Sequence, residues 1–147
     1  MSENRAHILV VDDEPLDLTV VQRSLESCGY AVFLGSNYDE GLAAFEAHAN
    51  EIDLLITDIS LPGKTGLELA RVCLRKNPAL KILLISGWVG SEFLEYVGIA
   101  KSDPHFLPKP FRSSKLLDRV QRILESTDQT IWLDIDNDKT SSGSAGS

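Results

Sequence analysis

The sequence predicts an α/β fold: a single (βα)5 unit, with a doubly wound parallel sheet of five strands covered by helices. Three observations carry that expectation. Short apolar runs alternate strictly with longer stretches whose apolar residues recur at helical spacing. The clearest of the short runs is continuously apolar, as expected of a strand buried on both faces. Residues that start and stop helices stand between the two kinds of segment. Right-handed crossovers then leave a sheet with helices on both faces as the natural arrangement.

Ile8–Val11 is the first strand. Pro15 opens a helix, because its missing N–H costs nothing in the first turn. Leu18, Val21 and Leu25 give that helix its buried stripe, and Gly29 ends it. Tyr30–Leu34 reads as the second strand. Asn37 caps the next helix with Glu40 three residues on, and Leu42, Ala43, Phe45 and Ala49 form its buried face. Leu54–Thr57 is the third strand and runs directly into Asp58. Pro62 and Gly63 mark a loop, and Gly66 begins a helix marked by Leu67, Leu69, Ala70, Cys73 and Leu74. Asn77-Pro78 stops it. Lys81–Ile85 is the fourth strand. A weaker helix is expected over Ser91–Val97, where Gly90 and Gly98 lower the propensity at the edges. Phe106-Leu107 is a short fifth strand. The last helix is capped by Ser113 or Ser114 and carries Leu116, Leu117, Val120, Ile123 and Leu124 on its apolar face.

The folded domain is expected over residues 6–126. Residues 127–147 form an acidic, then Ser- and Gly-rich tail, expected to be largely disordered. The formal net charge is −8, and no Lys/Arg cluster offsets it, which argues against a nucleic-acid partner. No apolar run is long enough to span a bilayer. Met1–Arg5 is too polar and short for a signal peptide. Cys28 and Cys73 lack metal-ligand spacing and read as reduced thiols of a cytoplasmic protein. His7, His48 and His105 read as surface or edge residues. Asp134, Asp136 and Asp138 suggest a calcium loop, but Lys139 stands where its glycine is needed. Ile131–Ile135 remains open between an added strand, a partner motif and disorder.

In an open parallel sheet, ligands bind beyond the carboxyl ends of the strands. The first strand ends there in Asp12, Asp13 and Glu14, the third in Asp58, the fourth in Ser86, and the fifth leads into Lys109. Carboxylates brought together repel, so one takes a proton or a cation sits among them. Oxygen ligands without a dedicated cage suit Mg²⁺, which would screen the acids and admit an anionic phosphoryl group. Lys109 adds a positive charge, and the Ser86 hydroxyl can donate to a phosphoryl oxygen. A carboxylate can then act as nucleophile and form an acyl phosphate.

Asp12-Asp13, Asp58, Ser86 and Lys109-Pro110, with the loop from Asp58 through Pro62-Gly63 to Gly66, resemble the signature set of response regulator receiver domains. The likeness covers roughly Ala6 to Ser126. It implies the flavodoxin-like strand order 2-1-3-4-5 and a phosphorelay function within two-component signalling. Asp58 would be the phosphorylated residue. Asp13 and Asp58 would bind Mg²⁺ directly, Asp12 through a metal-bound water, and Ser60 through its backbone carbonyl. Lys109 would pair with the phosphoryl group across a cis Lys109–Pro110 bond. Ser86 fills the hydroxyl switch position and Phe106 the aromatic one, where many members carry tyrosine. The phosphodonor would be a histidine on a sensor histidine kinase or a histidine phosphotransfer protein. The downstream effector is unspecified, and a homodimer is open.

Each piece alone has a blander reading. Asp12-Asp13 can be a solvated loop, Asp58 a helix cap, Ser86 a turn residue. Lys109 can be an ordinary surface lysine; as a reader of the phosphoryl group it is likewise expected to be exposed, so that its removal hardly changes stability, and a large loss would point to a structural role. Trp88 either covers the site or packs on core. Independent explanations at four strand ends are less economical than one shared site. A nucleotide-binding protein of this architecture would want Gly, Ser and Thr amides after the first strand, where this chain has Asp12-Asp13-Glu14. A hydrolase with an Asp nucleophile would want an acid where Ser60 stands. A receiver that binds partners without phosphorylation is the remaining rival.

Overall fold

The structure, a computed structural model, describes residues 5–87 and 103–126. The stretch Ser91–Val97, Trp88 and the whole of 127–147, including Ile131–Ile135 and the three tail aspartates, lie outside the described residues.

The strands are β1 (His7–Val11), β2 (Ala31–Gly35), β3 (Leu54–Asp58), β4 (Lys81–Ser86) and β5 (Phe106–Pro108). They form one sheet in the order β2-β1-β3-β4-β5, with every neighbouring pair parallel. The expected order is the one observed. Among the described residues the helices are α1 (Pro15–Ser27), α2 (Tyr38–Ala47), α3 (Gly66–Lys76) and α4 (Ser113–Glu125).

Side chains of successive strand residues point to opposite faces, so each central strand feeds two cores. Leu9, Val11, Leu55, Ile82, Leu84 and Phe106 pack with Phe45 of α2 and Leu69, Ala70 and Cys73 of α3. Ile8, Val10, Leu54, Ile56, Leu83, Ile85 and Leu107 pack with Val21 and Leu25 of α1 and Leu116, Val120 and Ile123 of α4. That two-sided burial is why β1 and β3 read as unbroken apolar runs. β2 lies at the edge, and its Leu34 is left exposed.

Local signals mostly fall where the sequence places them. Pro15 is in the first turn of α1, and Gly29, with φ +90°, takes the left-handed conformation that turns the chain out of it. Asn37 caps α2 by accepting from the Glu40 amide at 2.8 Å. The Glu40 carboxylate takes the Ser36 amide instead of completing the box. A full capping box opens α3: Thr65 accepts from the Glu68 amide while the Glu68 carboxylate accepts from the Thr65 amide.

Three expectations need correction. The N-cap of α4 is Arg112, without a side-chain capping bond. Ser113 is already helical, and its hydroxyl is 2.8 Å from that of Ser24, tying α4 to α1. Strand boundaries move by a residue: β2 starts at Ala31 rather than Tyr30, and β5 includes Pro108. Ala43, expected on the buried face of α2, is exposed. His105 stands directly before β5, at the edge of the sheet, with its side chain 14% exposed and its Nδ1 3.0 Å from an Asp103 oxygen.

Candidate functional site

The site lies beyond the carboxyl ends of β1, β3, β4 and β5. The parallel register sets Val11 beside Thr57, and Asp58 beside Ile85. Asp12 and Asp13 therefore leave β1 next to Asp58, with Ser86 on the far side.

Asp58 is held from three directions. Its Oδ1 accepts from the Ser60 amide at 2.9 Å. Its Oδ2 accepts from Lys109 Nζ at 2.8 Å. Its main chain is fixed by Gly66, the first residue of α3, whose amide donates to the Ile59 carbonyl at 2.8 Å. A Cβ at Gly66 would collide with the Asp58 carbonyl oxygen and stand 2.8 Å from the Thr57 hydroxyl. Only glycine lets α3 approach the strand end so closely.

Asp12 is completely buried. Its Oδ1 accepts from the Glu14 amide at 3.0 Å and its Oδ2 from Lys109 at 3.1 Å. Burial pushes its carboxyl above the ordinary range, and the neighbouring Asp58 charge adds to this. The Glu14 amide and Lys109 oppose the shift without cancelling it. One carboxylate oxygen from each of Asp12, Asp13 and Asp58 lies within 4.8 Å of the others.

Lys109 enters from the end of β5, where its amide donates to the Ser86 carbonyl at 2.7 Å. The Lys109–Pro110 peptide is cis. The expectation of an exposed Lys109 that contributes little to stability needs correction, because three carboxylates hold it. Its side chain is 20% exposed, and Nζ contacts Asp58 at 2.8 Å, Asp17 at 2.9 Å and Asp12 at 3.1 Å. Burial favours the neutral amine, but hydrogen bonds to Asp58, Asp17 and Asp12 outweigh it, so its pKa lies above the ordinary value. The ammonium is a fixed charge of the site at any physiological pH.

Ser86 closes β4 and is 1% exposed. Phe106 is buried to the same degree, within the core that α2 and α3 cover. The structure thus gathers Asp12, Asp13, Asp58, Ser86 and Lys109 at one edge, with Ser60 beside Asp58. Phe106 stands apart from the polar groups. Sequence reasoning missed Asp17, which is in the first turn of α1. An acid two residues after Pro15, off the apolar stripe, in a helix that starts beside Asp12-Asp13, was the available signal.

The donor set fits a hard divalent cation. Three carboxylates with one ammonium leave a net negative pocket, the Asp12 carboxyl is unfavourably buried, and all the donors are oxygens. A carboxylate at a strand end, a fixed cation and two further acids that could hold a metal thus meet at one edge of the sheet.

Comparison with known proteins identifies the family. The profile of the response regulator receiver domain matches residues 8–121. The response regulator receiver protein CpdR of Brucella abortus is 33% identical over 118 residues, covering 80% of this chain and 95% of its own. The sensor kinase CckA of the same organism is 31% identical over 84% of this chain, which spans only 13% of the kinase. The crystal structure of a response regulator receiver protein from Sinorhizobium medicae superposes with a TM-score of 0.74 at 28% identity, covering 86% of this chain and 99% of that one. No helix among the described residues is long and apolar enough to cross a membrane. The chain belongs to the response regulator receiver family, the phosphoacceptor domains of two-component signalling.

Proposed function

We propose that Asp58 is the phosphoacceptor and that Asp12, Asp13, Ser60, Ser86 and Lys109 assemble the reaction around it. One observation carries this reading: the Asp58 carboxylate sits at the end of a central strand, 2.8 Å from Lys109 Nζ and beside Asp12 and Asp13. An Asp58 oxygen attacks phosphorus in a phosphohistidine, the P–N bond breaks, and the imidazole nitrogen leaves with the electron pair. Water later cleaves the acyl phosphate and restores the carboxylate, so the chain serves both half-reactions on itself.

Asp12, Asp13, Asp58 and the Ser60 carbonyl would hold Mg²⁺, which supplies positive charge against the carboxylates and the incoming phosphoryl oxygens. Lys109 donates an N–H to a phosphoryl oxygen as charge builds there. Ser86 does the same from β4 through its hydroxyl. That new bond gives Ser86 its switch role, and Phe106, lacking a hydroxyl, transmits the change by ring position alone.

The donor is a sensor histidine kinase or a histidine phosphotransfer protein in the cytoplasm. Leu16 and Val20, 79% and 54% exposed on α1, give it an apolar surface, and Val20 lines a cavity shared with Lys109. Residues 6–126 suffice as the phosphorylatable unit. The effector recognises the changed surface, alone or as a homodimer.

Mg²⁺ titration by calorimetry, followed by acetyl phosphate treatment and intact mass, tests the assembly. The wild type should bind one Mg²⁺ and gain one phosphoryl group only when metal is present. Asp13→Ala should lose both. Unchanged Mg²⁺ affinity in Asp13→Ala removes Asp13 from the ligand set.

A further inference from the structure

Lys109 has three N–H donors, and three carboxylates take them: Asp58, Asp17 and Asp12 at 2.8, 2.9 and 3.1 Å. Two of these belong to the chemistry. Asp58 becomes the acyl phosphate, and Asp12 faces the metal pocket. Asp17 does neither. It stands on α1, its side chain 48% exposed, and reaches over the site from outside.

A simpler role for Asp17 would be local. An acid in the first turn of a helix interacts well with the positive end of the helix dipole, and at this position it can also accept from the N-cap amide. That second use is already excluded by the hydrogen bonding. The Glu14 amide at the N-cap donates to Asp12 Oδ1, and Asp17 Oδ2 is turned to Lys109 instead.

We propose that Asp17 is a positioning residue that holds the Lys109 ammonium toward α1 and competes with the phosphoryl group for it. The proposal rests on the reading of Asp58 as phosphoacceptor. Once Asp58 is an acyl phosphate, its carboxyl oxygens are weaker acceptors and carry no carboxylate charge of their own. Asp17 is then a full carboxylate beside Lys109, outside both the metal pocket and the phosphorylated group. The ammonium is divided between Asp17 and the phosphoryl oxygens, and the Asp17 charge also opposes the phosphoryl anion directly. Both effects have one sign. Asp17 lowers the site's affinity for a phosphoryl group and shortens the time Lys109 spends on it.

Asp17→Asn keeps a side-chain oxygen in place and removes the charge; Asp17→Ala removes both. The probe is beryllofluoride with Mg²⁺, titrated calorimetrically into the full chain, with a thermal melt of each metal-free protein alongside. Both variants should bind the probe about two- to fivefold more tightly than wild type, the scale of a half-exposed ion pair. The difference should shrink at high salt, which screens such charges. If Asp17 only stabilised its helix, both variants would melt at a slightly lower temperature and bind the probe as tightly as wild type. Equal or weaker binding by Asp17→Asn, with the wild type binding normally, overturns the role of Asp17. If the wild type itself fails to bind, the phosphoacceptor reading falls, and the Asp17 proposal with it.

Discussion

Replacing Lys109 by methionine keeps the aliphatic stem and deletes the charge, so its effect on stability is electrostatic. Three ion pairs disappear together. The pair with Asp17, half-exposed, contributes only about 0.2–1 kcal/mol. The other two matter more, because Asp12 is fully buried and Asp58 nearly so. Stranding buried carboxylates by removing their partner costs about 3–5 kcal/mol, and the partial exposure of Lys109 places this case at the lower end. A loss near 3 kcal/mol lowers the melting temperature of a domain this size by roughly 10 °C. Mg²⁺ held by the same carboxylates, as proposed, would supply replacement positive charge, so much of the loss should vanish at saturating metal. The assay is thermal unfolding of both proteins at neutral pH, with EDTA and then with Mg²⁺. A deficit below about 0.5 kcal/mol in EDTA, the scale of an ordinary surface substitution, would refute the reasoning. A deficit that metal leaves untouched would refute the shared-charge account.

Gly66→Ala should cost about 1–3 kcal/mol, as overpacking does, because its Cβ meets the Asp58 carbonyl; chemical denaturation reads this. Gly63→Ala meets no neighbouring atom but keeps a φ of +80°, so it should cost about 1–2 kcal/mol through backbone strain alone and disturb Asp58 less. Asp12→Asn should melt a few degrees above wild type in EDTA at neutral pH while losing Mg²⁺ affinity. The sign follows from the raised Asp12 pKa: its stabilising contribution is complete below the unfolded value and is lost as pH rises through the folded one. The advantage of the variant should therefore grow from mildly acidic to neutral pH, and an advantage that shrinks over that range would contradict the assignment.

The sheet was legible because parallel strands buried on both faces leave unmistakable runs, Ile8–Val11 and Leu54–Thr57 above all. Strand ends then located Asp12, Asp13, Asp58, Ser86 and Lys109, whose convergence follows from topology and needs no side-chain detail. What the sequence concealed depends on how side chains share partners. A lysine before a proline carries no mark that it will meet three carboxylates, and Asp17 looks like any acid in a helix's first turn. Ser113 resembles an N-cap, but the helix begins one residue earlier, and its hydroxyl goes to Ser24 across the α1–α4 contact. The same limit explains His105, covered through its pairing with Asp103, and Thr65, whose capping box with Glu68 lay unread beside the more conspicuous Gly66. Local pattern fixes the elements; the contacts between them decide which polar groups are held and how firmly.

The central claim is that Asp58 alone takes the phosphoryl group, and the most direct measurement is the intact mass of wild type and Asp58→Asn after acetyl phosphate and Mg²⁺. The wild type should gain one phosphoryl group, labile to hydroxylamine as an acyl phosphate is. Asp58→Asn keeps the side chain's size without its nucleophilic charge, so it should remain folded and gain none. Labelling of Asp58→Asn at the wild-type rate would contradict the account, and absence of labelling in both, with small donors and with a cognate kinase, would make the chain a receiver that works unphosphorylated.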